Sequence, residues 1–177
     1  MTKYVFSALA VAGTLLVAGC GSKSEQEVAS GTYTDPDTGQ TADYKVTSSA
    51  DGKDGTVSIK TSEGEMSFGG GGDQAKLPAG FTAYPGSTMT GGMSALSADG
   101  KASGMAAFEV PGQAADVIAH FRKQAEAAGM KVTSEVTAGD TRMFSAEKPG
   151  DAKAGVHVTA TQSGGKVAGA VTYGVGD

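Results

Sequence analysis

The chain has 177 residues, with 14 basic against 19 acidic side chains for a net charge of −5, one cysteine, no tryptophan and 6% aromatics. So acidic a chain carries no electrostatic footprint for nucleic acid or anionic headgroups, and a lone cysteine excludes an intramolecular disulfide framework. Glycine, at 28 residues, is about twice as frequent as in an average protein, which predicts short strands and many turns around a thin core and not a large catalytic body.

At the N-terminus Lys3 precedes an apolar run from Val5 to Val17, and small residues Ala18 and Gly19 follow. A basic start, a short apolar stretch and a small-residue boundary make up a secretory signal, and the run falls short of the roughly 20 residues an α-helix needs to cross a bilayer. At its end Val17-Ala18-Gly19-Cys20 places the only thiol after an aliphatic and two small residues. This resembles the lipobox of bacterial lipoproteins. The resemblance implies cleavage before Cys20, with 1–19 as signal peptide, and acylation of its sulfur and new amino group. More than one acyl chain makes such anchoring stable without a spanning segment. The expected location is therefore the cell envelope, membrane-anchored and facing the periplasm. Gly21 stands where, in that family, an aspartate favours inner-membrane retention, so the outer membrane is the expected leaflet.

Residues 20–32, in which Cys20 is followed by the polar "GSKSEQEVAS" of Gly21 to Ser30, read as a lipidated tether, with about 17–19 Å of r.m.s. reach for those ten flexible residues. From 33 to 68 apolar residues alternate in bursts, Ala42/Tyr44/Val46, Val57/Ile59 and Met66/Phe68, separated by "DPDTG", "ADGKDG" and "SEGE". Period-two alternation bounded by turn residues predicts a small antiparallel unit of three strands, poor in large apolar side chains. "GGGGDQAK", 69–76, breaks the pattern and reads as a Gly-rich linker.

The remaining residues, 77–177, are expected to form a second unit. Within it Ala114, Val117, Ile118, Phe121, Ala125 and Ala128 form a stripe at helical spacing opposite Asp116, Lys123 and Glu126. That predicts one amphipathic helix over about 113–128, with Gly112 as N-cap and Gly129 at the left-handed C-terminal position. Strands are expected around 87–98, over Ala102–Val110, and then around Met130–Val136, Phe144–Ala146, Val156–Ala160 and Val167–Val175. Thr133, Glu135, Thr159 and Thr161 fall on the opposite, wet parity. A β-β-α-β-β-β-β order with the helix on one sheet face reads as α+β, preceded by the small hairpin unit.

"LPAGFTAYPGS", a hairpin, "PGQAADVIAHFRKQAEAAGMKV" and several short strands resemble a class of exported bacterial α+β domains that open on a Tyr-Pro-Gly turn. The resemblance covers about 77–177 and implies a fold and an envelope location, with no activity attached.

No catalytic, cofactor or metal constellation is legible, so Cys20 is the single assigned site and no cofactor is expected. His120 lies on the flank of the helical stripe, and His157 alternates with Val156 and Val158 toward solvent. Asp35-Pro36-Asp37 and Asp51-Gly52-Lys53-Asp54 lack the calcium-loop spacing, and the glycine run lacks the Gly-Lys-Ser/Thr of a phosphate loop. Met89, Met93, Met105, Met130 and Met143 read as fillers of a core short of aromatics, against the alternative of an adaptable binding surface. The leading functional reading is a lipid-anchored binding or scaffolding module that is not an enzyme. Its expected partners are the membrane, through Cys20, and an envelope protein, peptide or small ligand, with no nucleic acid. The alternative is a small envelope hydrolase or metal-dependent enzyme whose site, with His120 or His157 as base, forms only in three dimensions.

Overall fold

The computed structural model describes residues 26–49, 54–72 and 75–174. The signal sequence, the lipobox with Cys20, the start of the tether, Asp51–Lys53, Asp73–Gln74 of the linker and Val175 lie outside the described residues.

Ten strands and one helix follow in chain order: β1 (Gln26–Thr34), β2 (Thr41–Ser48), β3 (Gly55–Thr61), β4 (Gly64–Gly70), β5 (Thr88–Ser97), β6 (Ala102–Pro111), α1 (Ala114–Ala127), β7 (Lys131–Ala138), β8 (Thr141–Lys148), β9 (Asp151–Ser163) and β10 (Lys166–Gly174). All ten strands join one antiparallel sheet in the order β1-β2-β3-β4-β5-β6-β10-β9-β8-β7. The expected α+β class is therefore corrected. One short helix on ten strands is a β-rich fold, because residues expected to form a separate hairpin unit extend the same sheet instead.

The difference has local causes. Gln26–Thr34, mostly assigned to the tether, forms β1, whose partners include Tyr33↔Ala42 and Ala29↔Val46. Its polar side chains hid it, but Thr32 Oγ1 donates to Asp43 Oδ1 at 2.6 Å and Lys45 meets Glu27 at 3.2 Å, so the strand is laced to β2 by polar groups. Gly69 and Gly70, read as the start of a linker, close β4 and pair with Gly92 and Gly91 of β5. That pairing, from Gly64↔Ser97 to Gly70↔Gly91, joins the first four strands edge to edge with the rest.

Around the helix the expected β-β-α-β-β-β-β order is present. Five stripe residues, Ala114, Val117, Ile118, Phe121 and Ala125, are buried against Phe108, Phe144, Val156, Val158, Val167 and Val171. Burying each large apolar side chain contributes about 1.5–3 kcal/mol, so this is where the molecule's stability concentrates. Ala128, the sixth stripe residue, is exposed and caps the C-terminus. There Gly129 N–H donates to Glu126 O and Met130 N–H to Ala125 O, at 3.0 and 2.9 Å, with Gly129 at φ +77°. This is a Schellman end, and only glycine reaches that φ without strain.

The N-terminus of α1 is held by a distant residue. Its N-cap is Gln113 and not Gly112, and Gln113 supplies no side-chain cap. Gln162, at the end of β9, instead accepts from Ala114 N–H and donates to Gly112 O, both at 2.8 Å. The loop before β5 is pinned similarly: Gln124 Oε1 accepts from Thr82 N–H at 2.6 Å, and its amide nitrogen donates to Thr82 O at 3.2 Å. These bonds seat Phe81, Leu77 and Tyr84 on the core.

Candidate functional site: an uncovered apolar sheet face

Directly paired residues in an antiparallel sheet point to the same side, so the register reads out both faces. On the helix side one row runs Ser30-Lys45-Ser58-Ser67-Ser94-Gly104-Tyr173-Val156-Ala146-Val132. It is polar across β1–β5 and apolar from Tyr173 onward. On the opposite side the neighbouring row runs Ala29-Val46-Val57-Phe68-Met93-Met105-Thr172-His157-Ser145-Ser134. That row is apolar through β6 and polar beyond it. The two halves of one sheet thus turn their greasy sides in opposite directions.

The helix covers only one of them. Beside the second row, Tyr44, Ile59, Met66 and Ala95 form a third on the same side, away from α1. Tyr44, Met66, Phe68, Met93 and Met105 remain 38–43% exposed. A depression of about 320 Å³ at the end of this face, beside the β3–β4 turn, is lined by Ile59, Met66 and Ala95 together with Glu63 and Glu65. Contiguous apolar surface of this kind marks an interaction site more often than scattered single residues do. Two methionines assigned to core filling, Met93 and Met105, belong to this face, whereas Met89 and Met130 do pack on the core.

Charge follows the same division. Glu27, Asp43, Lys45, Lys60 and Glu65, the charged residues of β1–β5, all fall on the helix side by register. The uncovered face of those strands therefore carries none, and the first charge on that side is Glu109 of β6, which pairs with Thr88 at the end of the face.

Both histidines are accounted for locally. His120 sits on the flank of α1, packs edge-on against Tyr84 with ring centroids 5.3 Å apart, and has Nε2 2.6 Å from the Gln124 amide nitrogen. His157 is exposed, with Nδ1 2.9 Å from Ser145 Oγ and Nε2 3.2 Å from Thr159 Oγ1. Hydroxyls engage both of its nitrogens, so the ring lacks the orienting carboxylate of a nucleophilic triad. Because Val156 and Val158 face α1, His157 points away from it, and the sheet separates the two imidazoles. Among the described residues no three His, Cys, Asp or Glu side chains gather into a metal-binding group. In the first acidic turn Asp35 Oδ1 accepts from Asp37 and Thr38 N–H at 2.8 and 2.9 Å, and these bonds, Thr38 first, hold its pKa below the usual value.

Sequence reasoning found the alternating strands of this face but not the face itself. Tyr44/Val46, Val57/Ile59 and Met66/Phe68 were legible as alternation; which side of the completed sheet they occupy depends on registers across β4, β5 and β6. A bulge at Val132/Ser134 had a similar effect in β7. It turns Glu135, expected on the wet side, toward α1, where Arg122 meets it at 3.2 Å, and leaves Val136 43% exposed.

No helix among the described residues is long and apolar enough to cross a membrane. No curated protein and no solved structure matches the chain. One family model does: residues 87–166, from the residue before β5 to the first residue of β10, are similar to a family described as START domain-like.

Proposed function

We propose that this chain is a lipid-anchored cell-envelope protein, tethered through Cys20 and facing the periplasm, that works by binding and not by catalysis. Its binding surface is the uncovered apolar face of β2–β6. The observation that carries the reading is the contrast within the sheet: five large side chains are left 38–43% exposed on a side where β1–β5 carry no charge, while the buried core lies under α1. The START domain-like similarity is compatible with a binding role. The lipobox at Val17–Cys20 supports the anchor, and Gly21 supports the outer membrane.

Two measurements test it. Intact mass of the mature protein should match a chain beginning at Cys20 plus a diacylglyceryl and an acyl group, and Cys20→Ser should leave the membrane fraction; an unmodified mass would end the anchor reading. For the face, the environment-sensitive dye anilinonaphthalene sulfonate should brighten with the native protein and lose most of that signal in Phe68→Lys/Met93→Lys. Equal dye binding by that folded variant would move the site elsewhere.

A further inference from the structure

We infer that the occupant of the uncovered face is the lipid surface itself, so that β2–β6 lie flat on the membrane with Tyr44, Met66, Phe68 and Met93 at the boundary of headgroups and acyl chains. This deepens the binding reading and rests on Cys20 being the lipidated residue.

The tether brings this half of the molecule to the bilayer. Six positions separate Cys20 from Gln26, the first residue of β1, a reach of at most roughly 20 Å when extended. β1 is the outermost strand on the apolar-backed half, whereas α1 packs on β7, β8 and β9 at the other end of the sheet. At about 4.8 Å between strands, the centre of the bare face lies within roughly 15 Å of β1. Of the two halves, the anchored one is the one whose apolar side is open.

The chemistry of the face suits a lipid boundary. In β1–β5 every charged side chain lies on the helix side and none on the bare side, the segregation an amphipathic helix shows when it lies in an interface, and the one charge that β6 adds, Glu109 opposite Thr88, stands at the far margin of the face, four residues beyond Met105. Tyr33, 58% exposed, and Tyr44 stand on this side near the anchored edge, and tyrosine is a residue type that settles at headgroup depth. β2–β6 are paired on both sides within the sheet, so burying this face takes no ladder of unpaired N–H and C=O groups into lipid. With no basic residue on the bare side of β1–β5, the attraction is apolar and insensitive to salt.

A second copy fits less well. The exposed parts of six side chains of roughly 150–250 Å² each, Tyr33 included, leave on the order of 500 Å², short of the ~800 Å² per partner that a stable pair buries. A tethered chain needs far less, because the anchor already supplies the high local concentration.

The chain has no tryptophan, so a single introduced indole reports on one side of the sheet. Phe68→Trp on the bare face and Lys60→Trp on the opposite one would be made in the full chain, processed in cells and reconstituted into phosphatidylcholine vesicles with brominated acyl chains. Phe68→Trp should emit to the blue and be quenched severalfold by the brominated lipid, equally at low and high salt, while Lys60→Trp stays at the aqueous wavelength and unquenched. Lipidated protein on the vesicles with Phe68→Trp unquenched would overturn the lipid contact and leave the anchor standing. So would blue-shifted emission insensitive to bromine together with a doubled mass, which would assign the face to a second copy. Quenching of Phe68→Trp with an unmodified Cys20 mass would keep the lipid contact and end the anchor reading instead.

Discussion

β6–β10 and β1–β5 are built from the same ladder of backbone hydrogen bonds, yet they keep their apolar side chains on opposite sides. In the first, Phe108, Phe144, Val158 and Val171 are nearly inaccessible beneath α1. In the second, Phe68, Met66 and Met93 stay open, and the helix side carries polar cross-strand contacts such as Ser58–Ser67 at 2.9 Å and Lys45–Glu27 at 3.2 Å. The crossover falls at β5–β6. Gly104 marks it: a Cβ there would stand 2.8 Å from the Tyr173 hydroxyl and 2.9 Å from its ring, so the tyrosine can cover the sheet only because that position is bare. The difference teaches that sheet continuity and core continuity are separate properties. β1–β4 are held to the molecule by edge pairing with β5 and by little shared apolar burial.

The sharpest break of that comparison is a pair of matched truncations. Phe121→Ala removes a ring that is 1% exposed in the centre of the core and should cost about 3–5 kcal/mol in chemical denaturation. Phe68→Ala, at 39% exposure, should cost less than about 1 kcal/mol. Equal losses would mean that the second half has a core of its own. Next, Gly169→Ala should destabilise by about 1–3 kcal/mol, since a Cβ would meet the Phe108 ring and the Thr159 carbonyl. It acts only on the helix-covered half, so amide exchange should speed up there first.

Smaller effects sharpen the contrast. Gln162→Ala deletes the remote cap of α1 and should cost about 0.5–2 kcal/mol, read as a lower denaturation midpoint with an unchanged slope. The smallest is a pH effect at the β5–β6 turn. The Ser97 hydroxyl first, and then Lys101, hold the Asp99 carboxyl at about 2, below its ordinary 3.8. A depressed folded pKa stabilises the ionised, folded form above the ordinary value. The contribution is present above about pH 4 and is lost as pH falls toward 2, and Ser97→Ala should raise the Asp99 midpoint in a carboxyl NMR titration.

Much of the local structure was legible because it rests on neighbours in sequence. The stripe Ala114/Val117/Ile118/Phe121/Ala125 fixes a helix and its buried side, Gly129 fixes its end, and Val156/Val158/Ala160 fix a strand. β1 was not legible, because Gln26–Thr34 owes its extended form to β2 and shows little alternation of its own. The fold class failed for the same reason: whether β4 ends beside β5 or in a linker is decided by pairing between Gly69–Gly70 and Gly91–Gly92, where no side chain carries a signal.

The candidate site follows that division. Each apolar pair that builds it, Tyr44/Val46, Val57/Ile59 and Met66/Phe68, is a period-two signal that sequence determines by itself, as it determines the lone cysteine at the end of a short apolar run. Only tertiary structure decided that those pairs line up on one side of a continuous sheet, opposite the helix and clear of every strand charge in β1–β5. The physical reason is that alternation says two faces differ without saying which one a neighbour will cover. A single-residue slip or bulge exchanges them, and register is set between strands, not along them.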